Sequence, residues 1–144
     1  MKDSFKSLLD TAKITGGKIQ EKAAAVGQAA VDNTVQAIEK WLEEFPKIES
    51  YGLKVTNFSF FMRISPSLEV EMRGKHGAFT PERLTEILAE NKPSSLSGMI
   101  FTAIKTTYRL HAKISTTRED PLIVKIRLSL SPEISVFIGT PKIS

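Results

Sequence analysis

His76 and His111 are the only imidazoles in the sequence, and the chain contains no cysteine. Any acid–base, nucleophilic or metal chemistry must therefore start from these two positions and the carboxylates. His76 lies in the loop "GKHGAF", and His111 lies in "TYRLHAKIS" between Arg109 and Lys113. Neither has an aspartate or a nucleophile at a spacing that builds a relay. Zinc takes three or four ligands, and two histidines 35 positions apart fall short of that set. The glycine-containing stretches "TGGK" and "GKHGAF" lack the phosphate-loop pattern, which ends in Gly-Lys-Ser/Thr before a helix. The expectation is a non-catalytic protein with no metal and no cofactor, in which His76 is a loop residue and His111 a surface one.

Cations are the more informative side chains. Lys105, Arg109, His111 and Lys113 occur at alternating positions, and Lys125 and Arg127 repeat that spacing. On paired strands these six would share one face and could meet an acidic partner. Immediately before the first four come Met99, Phe101 and Ala103 in the same parity. Three adjacent apolar side chains on a sheet face need cover, so this patch is read as a protein interface. Glu69 and Glu71 are the natural neutralisers of the cations if their strand lies next door. Phe58, Phe60, Met62, Tyr108 and Leu110 are a further candidate set, for an apolar ligand held between sheet and helix.

The chain of 144 residues is long enough for one domain with a sizeable core. Its 41% hydrophobic and 25% charged content is that of a soluble globular protein. The net charge of +4 is unevenly spread: +2 over residues 1–28, −3 over 29–50 and +5 over 51–144. Charges interrupt the first residues, so no secretory signal is read there, and the expected location is cytoplasmic, with peripheral membrane attachment open.

Residues 1–28 read as an amphipathic helical arm, in which Phe5, Leu8, Leu9 and Ala12 run beside Lys2, Lys6, Lys13 and Lys18. Residues 29–144 read as one α+β domain. Val31, Val35, Ile38, Leu42 and Phe45 mark an amphipathic helix that Pro46 should end. From Leu53 the period changes to two. Phe58, Phe60, Met62 and Ile64 form one row, "SPS" turns the chain, and Leu68, Val70 and Met72 return it as a hairpin. Arg63 is expected to pair with Glu69 across that hairpin. Thr80, Pro81 and Glu82 open a helix that Asn91 and Pro93 close.

Residues 100–114 alternate Ile, Thr, Ile, Thr, Tyr, Leu, Ala, Ile, which reads as a long strand. Helix competes over 95–105, because Leu96, Met99, Ile100 and Ala103 also fall at helical spacing. A turn at 117–120, a strand from Pro121 and a short last strand through "ISVFIGT" complete the chain. The expected fold is an antiparallel sheet of four to five strands with helices on one face, in the order α-β-β-α-β-β-β. An α-β-β repeat over 31–73 and 81–131 is possible within it.

The functional expectation is a binding domain, dimeric, that contacts another copy, an acidic protein or an acidic membrane surface. Nucleic acid fits less well, because the basic row lacks interleaved aromatics. The alternatives are a carrier of a lipid or other apolar ligand and, third, an enzyme of unknown class.

Overall fold

The computed structural model describes residues 31–140. The amphipathic arm read at 1–28 lies outside the described residues. The fold is α+β, as expected, with four antiparallel strands in the sheet order β1-β2-β3-β4. The strands are β1 (Lys54–Phe61), β2 (Ser67–Gly74), β3 (Leu122–Leu128) and β4 (Pro132–Ile138).

The helices are α1 (through 31–42), α2 (Phe45–Ser50), α3 (Pro81–Glu90) and α4 (Leu96–His111). Among the described residues the element order is therefore a helix pair and a hairpin, twice over. Pro46 does not close a helix. It occupies the first turn of α2, where its missing N–H costs nothing.

The largest departure from the sequence reading is at residues 96–111, which are helix rather than strand. Three local causes favour the helix. A strand from 100 to 114 would exceed the usual 3–10 residues. Ser95 is an N-cap, its hydroxyl accepting from the Gly98 N–H at 3.0 Å. The buried positions Leu96, Ile100, Phe101, Ile104 and Tyr108 follow the helical stripe, while Thr102, Leu110 and Ile114 of the presumed inner row are exposed.

A long-range contact fixes where α4 starts. Glu44, between α1 and α2, accepts from the Leu96 N–H at 2.9 Å and the Ser97 N–H at 3.0 Å. The Ser97 hydroxyl adds a third bond at 3.1 Å. The carboxylate thus satisfies two orphan donors and sits at the positive end of the helix. Gly98 is required in that first turn, because a Cβ there would run into the Lys92 carbonyl.

The sheet is amphipathic. Leu68, Val70 and Met72 of β2 pair across with Leu128, Ile126 and Val124 of β3, and this row is buried on the helix side. It meets Ile38, Phe45, Ile48, Leu84, Ile87, Leu96, Ile100, Phe101 and Ile104 in one core. Each fully buried side chain of this size contributes about 1.5–3 kcal/mol. Phe101 packs edge-on to Tyr51 at 5.3 Å between ring centroids and tilted to Phe79 at 5.7 Å. Tyr51 in turn donates to Glu90 at 2.9 Å and so ties α2 to the end of α3.

Candidate binding surfaces

The helical course of 96–111 redistributes every residue that a long strand would have gathered. Phe101 is fully buried in the core and forms no surface patch. Met99 and Ala103 are half-buried on α4, beside Pro93, Thr102 and Thr106 in an open hollow. Lys105 and Arg109 lie on the exposed side of α4, and Lys113 on the turn after it. The place of Arg109 in the last turn of the helix complements its negative end. His111 is half-buried, near Leu110, Ile114, Val136 and Ile138. These residues and the two on β3, Lys125 and Arg127, therefore do not share one face.

Lys125 and Arg127 do lie on the open face of the sheet, and Glu69 and Glu71 are their direct neighbours on β2. Arg127 bonds Glu69 at 3.2 Å and stands opposite Glu133 on its other side. Arg63 does not pair with Glu69; its guanidinium lies over the Phe61 ring at 5.4 Å. Lys125 stands opposite Glu71 and Ser135, with its ammonium 5.3 Å from the Phe137 ring. The Thr56 hydroxyl donates to Glu71 at 2.8 Å. That bond, with the Arg73 and Lys125 cations, holds the Glu71 carboxyl below its usual range against a smaller opposing effect of burial. The result is a shallow hollow of about 400 Å³ in which charges of both signs alternate. Opposite charges across strands stabilise a wet sheet face by a few tenths to about 1 kcal/mol per pair.

The apolar-ligand set is also not assembled. Phe58, Phe60 and Met62 belong to the β1 edge and the turn after it, whereas Leu110 faces β4 at the opposite edge. Three strand spacings, roughly 14 Å, separate the two edges. Tyr108 has a different role, in a buried polar cluster that its sequence context did not disclose.

That cluster is centred on His76, which is 8% exposed. Its Nε2 lies 2.7 Å from the Glu119 carbonyl, and its Nδ1 lies 2.7 Å from the Tyr108 hydroxyl. A carbonyl only accepts, so Nε2 carries the hydrogen, and in the neutral ring Nδ1 accepts from Tyr108. The His76 backbone N–H donates to the Asp120 carboxylate at 2.9 Å. Arg118 covers the Tyr108 ring at 4.1 Å. The loop after β2, the end of α4 and the segment before β3 are thereby tied together. The histidine lies in the loop where it was expected, but as a buried tie.

Burial pushes the Tyr108 phenol from its ordinary 10.0 up to about 12, with Arg118 acting weakly the other way. The neutral phenol is thus favoured in the folded chain. Its contribution is complete below the unfolded value near 10 and is lost as pH rises towards 12. The melting temperature is expected to fall across that window, and Tyr108→Phe is expected to flatten the fall. An equally steep decline in the phenylalanine variant would remove Tyr108 as its source.

The remaining surface feature is β1. Its register places Val55, Phe58 and Phe60 on the helix side, opposite Met72, Val70 and Leu68. Their β2 neighbours are buried, yet Val55, Phe58 and Phe60 are exposed, Phe58 by 45%. Met62 and Ile64 continue the apolar run into the turn, and Ile64 is 94% exposed. The turn after β3 lies at the same end of the sheet and carries the exposed Leu130. Between Lys54 and Arg63 the chain carries no charge. The sequence did disclose this row, but as a candidate pocket wall rather than an open edge.

Among the described residues no cluster of three or more His, Asp or Glu side chains could hold a metal ion. No helix among them is long and apolar enough to cross a membrane. Compared with known proteins, the chain matches no family model, no curated protein and no solved structure.

Proposed function

We propose that this protein is a non-catalytic binding domain whose contact surface is the β1 edge and the apolar row along it. One observation carries the reading: an edge strand with no charge between Lys54 and its end, whose helix-side residues Val55 and Phe58 stay exposed beside the buried Met72 and Val70 of β2. Exposed apolar edges are templates for strand addition, and folded proteins ordinarily blunt them with charge or cover them. Burying the exposed parts of Val55, Phe58, Met62 and Ile64 would stabilise a complex by about 3–6 kcal/mol before the cost of association. Lys54 and Arg63 flank the row and favour a partner with acidic flanks.

The basic sheet face is a weaker contact surface than its sequence suggests, because Glu69, Glu71 and Glu133 neutralise it. Lys105, Arg109 and Lys113 on and after α4 are the cations left to orient an acidic protein or membrane. Among the described residues they form no ion pair.

The test is a photo-crosslinking phenylalanine analogue placed at position 58 of the full chain, with position 110 as control. Leu110 is similarly exposed and faces the opposite sheet edge. A discrete adduct from position 58 and none from 110 is the expected result. Equal labelling from both, or none from 58, would end the proposal.

A further inference from the structure

We infer that the outward face of α4 and the turn after it dock on an anionic lipid bilayer. This is a second surface, separate from β1, and it does not depend on β1 being a contact edge. Residues 91–118 contain five lysines and arginines and no aspartate or glutamate. Lys105, Arg109 and Lys113 recur every fourth residue, so they line one side of the exposed face. Among the described residues their side chains form no ion pair. Of the next acids in the chain, Glu119 lies against Gly139, and Asp120 accepts from the His76 backbone N–H. The three cations thus keep their full attraction for an anionic surface.

Beside the cations runs an apolar row, Met99, Ala103, Leu110 and Ile114, at spacings of four, seven and four. The Lys113 N–H donates to the Leu110 carbonyl and the Ile114 N–H to the His111 carbonyl, which carries the helical course past residue 111. Both rows therefore continue into the turn. Leu110 is 59% and Ile114 85% exposed. The two hollows along this row share Thr107, and both are shallow and open. Protein partners anchor a side chain in a well-packed pocket, which hollows this open do not offer. A broad, deformable surface can cover them. An apolar row bordered by cations is the pattern of a helix lying in the plane of a membrane interface. Leu110 and Ile114 would enter the boundary between headgroups and acyl chains, while Lys105, Arg109 and Lys113 reach lipid phosphates and carboxylates.

The test uses the full chain with vesicles of phosphatidylcholine, with and without phosphatidylserine. Co-sedimentation is expected with the anionic vesicles alone and should weaken as salt rises. One cation near such a surface raises partitioning about fivefold, so Lys105→Gln, Arg109→Gln and Lys113→Gln together should lower it about a hundredfold. Leu110→Ser with Ile114→Ser should lower it at least about tenfold. All five positions are exposed, so both variants should melt close to the parent. The chain has no cysteine, so Ile114→Cys and Ser135→Cys each take a single polarity-sensitive nitrobenzoxadiazole dye. Emission from position 114 should shift to the blue with anionic vesicles. Emission from position 135, opposite Lys125 on the open sheet face, should not.

Three outcomes would overturn the inference. One is vesicle binding that the triple glutamine variant retains in full, which would assign the lipid contact to another part of the chain. Another is an equal shift, or none, at positions 114 and 135. The third is a chain that ignores anionic vesicles, whether or not it binds an acidic peptide. Labelling from position 58 enters none of these readouts, so their failure leaves the β1 contact standing. Without vesicles position 110 has nothing to label, in keeping with its use as a control.

Discussion

Phe101→Ala is expected to destabilise the fold by about 3–5 kcal/mol, read from urea or thermal unfolding. The side chain is fully buried and contacts the rings of both Tyr51 and Phe79, which come from before β1 and after β2. Removing it leaves a cavity where α2, α3 and α4 converge, and the neighbouring rings cannot collapse without losing their own contacts. On the long-strand reading, Phe101 was an interface residue. Its loss would then have altered association and spared the monomer. The helical placement reverses both effects: stability is expected to fall steeply, and labelling from position 58, measured where the variant is folded, is expected to stay the same. A variant that melts within about 1 kcal/mol of the parent would contradict the helical placement of residues 96–111.

The second large effect is expected at His76. His76→Leu is close in volume but removes both ring hydrogen bonds. The Glu119 carbonyl and the Tyr108 hydroxyl then lose their imidazole partner. A buried polar group left unsatisfied costs about 1–3 kcal/mol, so the sum is expected near 2–5 kcal/mol. The loss should be local as well as global. Amide exchange should accelerate in 112–121 and at the end of α4 before it does in β2 and β3. In the Tyr108→Phe background the same replacement should cost less, because one of the two bonds is already gone. Full additivity of the two changes would show that the ring and the phenol do not act as a unit.

The first hairpin and α3 were legible because their signals are local. Period-two alternation around "SPS" and the Thr80–Pro81 start each lie within a dozen residues of what they specify. Residues 96–111 were not legible by the same means, because Ile, Thr and Tyr at alternate positions imitate a strand. Deciding evidence existed in the Ser95 cap and in the excessive strand length. The other deciding contact, the Glu44 carboxylate at the start of α4, joins residues too far apart for any pattern to reveal.

The site residues divide in the same way. Glu69 and Glu71 beside Lys125 and Arg127 were foreseeable from alternation once their strands were adjacent. The His76 tie was not, since a histidine between a lysine and a glycine gives no sign of burial. The β1 row was visible as Phe58, Phe60 and Met62. What escaped was that α4 turns its exposed side and Leu110 away from them, leaving an edge where a pocket was expected.

The strand order has a kinetic consequence. β1 with β2, and β3 with β4, are each joined by a short turn, so both ladders can zip up from local encounters. The central ladder between β2 and β3 is different, because α3 and α4 lie between its two strands in the chain. Closing that loop costs entropy before any of its hydrogen bonds is gained. Two rapidly formed hairpins that wait for a helical pair to bring them side by side would therefore govern how fast this chain reaches its native state.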